Sequence, residues 1–176
     1  MSRIFGPIRQ NGYVVRDIQA AMRHWTRVMG VGPFIYLPHV RPDDFVYRGS
    51  PSSPECSIAI AFSGDLQIEL IEVHSDTANL WQDFLDAGRE GLQHVSAWTD
   101  DFDAALERVA GSGHRVAQQG TIAGGLRFAY FDTEAHPGTV FEISNLDAEP
   151  FRSLLATLRE AARTWDGSDP IRESPL

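Results

Sequence analysis

The chain has 176 residues, 43% of them hydrophobic and 22% charged, which suffices for one globular domain or two small modules sharing a core. Its 15 basic and 24 acidic residues give a net charge of -9, which argues against nucleic acid as a partner, because that requires a basic face. Cys56 is the only cysteine, which excludes an intrachain disulfide and a cysteine-based zinc site. No N-terminal stretch reads as a signal peptide and no apolar run reaches the ~20 residues of a membrane helix, so a cytoplasmic protein is expected.

Residues 8–16 alternate and carry Tyr13, Val14 and Val15, which predicts a strand. Asp17 stands at the N-cap position before Ile18, Ala21, Met22, Trp25, Val28 and Met29, whose spacing predicts a helix. Gly30-Val31-Gly32-Pro33 ends it, and Phe34 to Leu37 reads as a short strand. Residues 38–55, with Pro38, Pro42, Pro51 and Pro54, read as a long polar loop, a kind that is often functional. Cys56 to Phe62 and Leu66 to Val73 are strands around the turn Ser63-Gly64-Asp65. Residues 76–88 form a connecting helix ended by Gly88. Leu92 to Thr99 is a strand, and Asp100 or Asp101 caps a helix from Phe102 to Gly111. Strands follow at Arg115 to Gln118, Leu126 to Phe131 and Thr139 to Ile143. Residues 149–163 form a C-terminal helix with Phe151, Leu154, Leu155 and Leu158 on one face, and the tail from Trp165 to Leu176 is extended.

Two stretches in this series read as copies. One opens Gln10-Asn11-Gly12-Tyr13-Val14-Val15-Arg16-Asp17 and the other His94-Val95-Ser96-Ala97-Trp98-Thr99-Asp100-Asp101. Gln10 matches His94, and Asp17 matches Asp101. Each copy closes in a hydrophobic run holding one carboxylate, Glu69 in the first and Glu142 in the second. Each half is therefore strand–helix–strand–strand–strand. Packed as pseudo-symmetric halves, they would bring Gln10, Glu69, His94 and Glu142 to one point. Three oxygen donors and one nitrogen donor suit a divalent ion: Zn, Ni, Co, Mn or Mg. The bland alternatives are a satisfied core histidine at His94 and outward-facing glutamates on half-exposed strands. Gln10 is a poorer ligand, and hydrogen bonding to a substrate is its other role.

The openings VVRDIQAAMRHWTRVMGVGPF and GLQHVSAWTDDFDAALERVAGSGHRV, with the closing strands LQIELIEV and HPGTVFEISN, resemble the vicinal oxygen chelate superfamily. That superfamily includes glyoxalase I, methylmalonyl-CoA epimerase, extradiol dioxygenases and bleomycin-binding proteins. The resemblance covers about residues 8–146. It implies an α+β fold of two paired βαβββ modules in an open U-shaped sheet around a metal, with a C-terminal helix added. Module one spans about 8–74, the connecting helix about 76–88, module two about 91–146, and the C-terminal helix and tail 147–176.

The resemblance carries the metal-ligand positions onto Gln10, Glu69, His94 and Glu142, in the order found in glyoxalase I. It implies a homodimeric, metal-dependent lyase or isomerase that moves a proton next to a carbonyl of a small substrate, through a metal-stabilised enediolate. Glu142 would be the base. An epimerase like the methylmalonyl-CoA enzyme is the alternative, and it needs a second carboxylate on the opposite wall, for which Glu55 matches the family position. A metal-free drug-binding protein is a further alternative. Extradiol ring cleavage is disfavoured, because it takes two histidines and one carboxylate and Gln10 stands where the first histidine would be. His39 is a candidate to line the pocket. Arg9, Arg16 and Arg127 are candidates for an anionic substrate group, and Trp25, Tyr36, Phe62, Trp98, Phe128, Tyr130 and Phe141 read mostly as core.

Overall fold

In the computed structural model, residues 2–122 and 124–174 are described. The first half runs β1 (Ile8–Val14), α1 (Ile18–Arg27), β2 (Phe34–Val40), β3 (Asp43–Tyr47), β4 (Ser50–Pro51), β5 (Cys56–Ser63) and β6 (Leu66–Val73). The second runs α2 (Leu80–Asp86), β7 (Gly91–Trp98), α3 (Phe102–Gly111), β8 (Val116–Ile122), β9 (Leu126–Phe131), β10 (Val140–Ser144), α4 (Phe151–Arg163) and β11 (Ile171–Glu173). The fold is α+β, with one sheet in the order β11-β2-β5-β6-β1-β7-β10-β9-β8-β3-β4.

The strand ladders repeat between the halves residue for residue. β1 and β7 run antiparallel at the centre, with Gln10 opposite Ser96 and Gly12 opposite His94. The shift that carries Gln10 onto His94 carries Gly12 onto Ser96, so the central pairing maps onto itself. The flanking parallel ladders obey the same rule. Gln10 faces Gln67 and Gly12 faces Glu69 in one, while His94 faces Val140 and Ser96 faces Glu142 in the other. The helix starts repeat as well. Asp17 Oδ1 accepts from the Ala20 amide at 2.8 Å, and Asp101 Oδ1 accepts from Ala104 at 3.0 Å. Asp101, rather than Asp100, is thus the cap of α3.

Strand alternation sorts the sheet's two faces. On the outer face, Ile18 and Met22 of α1 pack against Ala59, Ala61, Ile68 and Leu70. Both α1 residues are fully buried, each worth about 1.5–3 kcal/mol on burial. Phe102, Ala105 and Val109 of α3 pack likewise against Ala97, Ala129 and Ile143. The inner face is the concave one. Trp81 and Phe84 of α2 plug it against Val14, Ile58, Ile71, Tyr130 and Val140. Leu155 of α4 covers it from another side, against Phe62, Trp98 and Leu146.

The segment expected as a loop at 38–55 is largely sheet. β2 extends to Val40, and the chain then crosses to pair β3 with β8, the outer strand of the other half. Phe45 anchors the crossing, 5.9 Å from the Trp81 ring and 6.3 Å from Phe128. A tight turn at Arg48-Gly49 follows, both with positive φ, as a two-residue type I′ hairpin requires. The prolines disguised this hairpin, yet Pro51 lies on the terminal strand, where a missing N–H costs nothing. The extended tail resolves into β11, parallel to β2, with Ile171 beside Phe34; its last residues, 175 and 176, lie outside the described ones. Among the described residues no helix is long and apolar enough to cross a membrane.

Candidate metal centre and cavity

Gln10, Glu69, His94 and Glu142 come from the four central strands, β1, β6, β7 and β10. Alternation puts Gln10 on one face with Gly12 and Val14, and Val14 belongs to the inner cluster. Glu69 lies two residues from inward Ile71, and Glu142 two residues from inward Val140. Donor atoms of Glu69, His94 and Glu142 all lie within 4.8 Å of one another. His94 Nε2 is 3.2 Å from Glu69 Oε2 and 3.3 Å from Glu142 Oε2. Two donors ~2.1 Å from a shared ion and at right angles to each other lie about 3 Å apart, so these spacings suit coordination.

The imidazole is held from three sides. His94 Nδ1 donates to Gln93 Oε1 at 2.8 Å, which turns Nε2 toward the carboxylates. The Tyr130 hydroxyl lies 3.4 Å from Nε2, with the two rings packed edge to face. Behind the ring is Gly12. A Cβ there would fall 1.8 Å from His94 Cε1 and 2.0 Å from Nε2, so only glycine lets the ring lie across β1.

Charge in this buried group is unbalanced. Burial by itself would lower the His94 pKa, but contacts with Glu142 and Glu69 and their negative charge outweigh it and raise it to about 9. Burial lifts the Glu142 carboxyl above its ordinary value; His94 offsets part of the rise and Glu69 adds to it. Burial, and then the charges of Glu142 and Glu69, push the Tyr130 hydroxyl well up, so it stays protonated. Cys56 is buried and pushed up to about 12, chiefly by that burial, which leaves the thiol inert.

A divalent ion fits this donor set. Gln10 is 3% exposed and its Oε1 is buried without a hydrogen-bond partner, and Glu142 Oε2 is buried with the His94 ion-pair contact at 3.3 Å but no well-formed hydrogen bond. Buried acceptors of that kind are rare and costly unless something binds them. Two carboxylates beside one imidazole carry a net negative charge that a cation neutralises. The imidazole nitrogen and carboxylate oxygens suit zinc, nickel, cobalt or manganese, and the oxygens alone suit magnesium.

Glu69 and Glu142 of the cluster line the inner end of a cavity. A chamber of about 40 Å³ is bordered by Glu69, Glu142, Tyr130, Trp81 and Ser144. Trp81 Nε1 and Ser144 Oγ, which also lack partners, add polar atoms there. The chamber shares Ile58, Glu69, Ile122, Leu126 and Leu146 with a larger cavity of about 520 Å³ beneath α4.

Several expected residues lie elsewhere. Glu55 lines neither space. Its carboxylate is held by His39 Nδ1 at 2.6 Å and Arg41 Nε at 2.8 Å, and these partners keep its pKa below the ordinary value. Adjacent Cys56 belongs to the inner cluster, whereas the Glu55 carboxylate faces His39 and Arg41. His39 is exposed and tied to Glu55, outside the cavity. Arg16 is paired with Glu90, and Arg127 with Asp103 over the Phe102 ring; neither lines the cavity, nor does Arg9. Gly12, Gln93 and the site role of Tyr130 escaped the sequence reading. A glycine inside a strand was the one available signal, since it marks close approach of another group.

A sequence model of the Glyoxalase/Bleomycin resistance protein/Dioxygenase superfamily matches residues 9–131. No protein of curated function matches the sequence. Among solved structures the chain is similar to methylmalonyl-CoA epimerase from Mycobacterium tuberculosis, with 18% identity and a TM-score of 0.60 over 89% of this chain and 95% of that one. It is similar to a hypothetical protein from Bacillus halodurans C-125, with 18% identity and a TM-score of 0.58 over 79% of this chain and 93% of the other. A Streptomyces coelicolor methylmalonyl-CoA epimerase variant in complex with 2-nitronate-propionyl-CoA gives 18% identity and a TM-score of 0.51 over 83% of this chain and 96% of that one. At these identities the likeness is one of fold.

Proposed function

The chain belongs to the Glyoxalase/Bleomycin resistance protein/Dioxygenase superfamily, and from that premise we propose that it is a metal-dependent lyase or isomerase that moves a proton next to a carbonyl of a small substrate. One observation carries the reading. Two carboxylates and an imidazole, on strands related by the internal repeat, converge within 4.8 Å, and both carboxylates line the inner end of a largely apolar cavity. A binding protein that merely sequesters apolar molecules has no use for such a buried, charge-unbalanced group.

Glu69, His94 and Glu142 are the proposed ligands of a divalent ion, with Gln10 as the fourth donor. When bound, the ion polarises a carbonyl oxygen and lowers the cost of removing a proton from the neighbouring carbon. Glu142 is the proposed base. To accept the proton it would have to leave the ion, and it lines the chamber in which a carbonyl head would lie. Tyr130, protonated throughout the physiological range, donates toward developing negative charge in the chamber. α2 and α4 exclude bulk water, which strengthens each of these interactions.

An epimerase is the second reading, and the pairing of Glu69 with Glu142 favours it. The repeat sets these two carboxylates on different modules at one chamber, so Glu69 joins Glu55 as a candidate for the second carboxylate that epimerisation needs. Two of the similar structures are methylmalonyl-CoA epimerases, so an acyl thioester belongs in any substrate screen.

The test is proton exchange. Protein loaded with one divalent ion is incubated in deuterated water with 2-hydroxyketones, hemithioacetals of 2-oxoaldehydes, and acyl thioesters. Deuterium is expected at the carbon next to a carbonyl, with the rate falling ~10²–10⁴-fold in Glu142→Gln. Scrambled chirality at that carbon selects the epimerase. Fe(II)-dependent oxygen uptake with a catechol, without exchange, overturns both readings.

A further inference from the structure

Resting on the proposed metal-dependent reading, we infer that the carbonyl substrate has an uncharged aliphatic or alicyclic body, held under α4, and not a polyanionic nucleotide or peptide handle. The cavity has two parts in series. The inner chamber is lined largely by apolar side chains, including Ile58, Ile71, Ile122, Leu126 and Phe128, and sets Glu69, Glu142, the Tyr130 hydroxyl and the unpartnered Trp81 Nε1 and Ser144 Oγ among them. Its roughly 40 Å³ accommodates a carbonyl head and little else. The outer part, of about 520 Å³, is walled on the sheet side by Leu37, Ile58 and Ile60. On the helix side its walls are Phe151, Leu154, Leu155 and Leu158. At ~30 Å³ for each small group, it takes a body of up to about seventeen non-hydrogen atoms.

Charge selects further. Among the described residues Arg172 is the only cation lining the outer cavity, and its Nε is paired with Asp169 Oδ2 at 3.2 Å. Glu69 and Glu173 line the same space. On α4, Arg152 is paired with Glu149 and Arg163 with Glu160. Arg159 of α4 lies over the Phe62 and Trp98 rings and is not among the residues lining the outer cavity, so that described lining offers a polyphosphate or polycarboxylate little positive charge. Leu154 is 53% exposed although it lines the cavity, which places it at the rim where an apolar body enters.

Straight-chain alkyl hydroxamic acids test this, because the head chelates an ion through two neighbouring oxygens and the tail reads the cavity. Affinity of the full-length zinc-loaded protein is measured calorimetrically from acetohydroxamic to decanohydroxamic acid. It is expected to rise about fourfold per methylene until the cavity fills. Leu154→Asp is expected to reduce the ratio of octano- to acetohydroxamate affinity at least tenfold, and Ile60→Phe, which fills space, to shorten the longest tail accepted. The same chain-length slope is expected for 1-alkanols on chelator-treated protein. If hydroxamates bind no better than alkanols while the slope persists, the metal reading fails and this inference stands. A flat series with zinc-dependent hydroxamate binding overturns the inference and leaves the metal reading intact. Displacement of octanohydroxamate by equimolar coenzyme A or glutathione also overturns it.

Discussion

Gly12→Ala probes the site without touching any proposed ligand. The new methyl group would lie 1.8 Å from His94 Cε1, 2.0 Å from Nε2 and 2.4 Å from Nδ1. Ordinary contact starts near 3.4 Å, so the ring has to retreat by roughly 1.5 Å, whereas metal–ligand distances tolerate about ±0.2 Å. That retreat breaks the Gln93 contact and removes Nε2 from the two carboxylates. Losing an outer partner of a ligand costs ~10–100-fold in metal affinity, and losing the ligand itself costs more, so a fall of at least ~100-fold is expected. Stability changes less. Overpacking costs about 1–3 kcal/mol, and replacing a strand glycine returns about 0.5–1 kcal/mol, out of a usual total of ~5–15. The variant therefore folds, and its affinity can be read by competition against a fluorescent zinc chelator. Gly111→Ala, with nothing within 4 Å of the added carbon, is the control. Wild-type affinity in a folded Gly12→Ala protein would refute the argument that this glycine makes room for a metal-binding imidazole.

Gln93→Leu removes the acceptor for His94 Nδ1, and zinc affinity measured in the same assay is expected to fall ~10–100-fold; no change would mean the ring is oriented by packing alone. Glu55→Gln is expected to lower the proton-exchange rate by less than ~10-fold, because a true base costs ~10²–10⁴-fold and Glu55 is held outside the cavity by His39 and Arg41. A larger loss returns Glu55 to the reaction. In chelator-treated protein the His94 pKa is raised to about 9, above its unfolded value near 6.5. Its stabilising contribution is then fully present below pH ~6.5 and lost as pH rises through about 9. Thermal midpoints should accordingly fall across that window more steeply in wild type than in His94→Gln, and parallel curves contradict the assignment.

What the sequence made legible follows from local physics. Strand alternation and repeated Asp caps are short-range signals, and they aligned Gln10 with His94 and Glu69 with Glu142 in the register that the ladders display. What stayed hidden depends on contacts far apart in the chain. The hairpin at β3 and β4 exists because β8 offers an edge and Trp81 and Phe128 receive Phe45, and none of those partners is near it in sequence. β11 likewise forms only because β2 has a free edge. Glu55 shows a further limit: a position matched along a motif says nothing of facing, and here the carboxylate meets His39 and Arg41.

The central claim is that the inner face of the sheet holds one divalent ion through both halves of the chain. It is tested most directly by titrating metal-stripped protein with zinc and counting equivalents, in wild type, His94→Ala and Glu142→Ala. The account predicts one tight equivalent in wild type and loss of tight binding in each variant. A full equivalent retained by both variants, or none taken up by the folded wild-type protein, would contradict it.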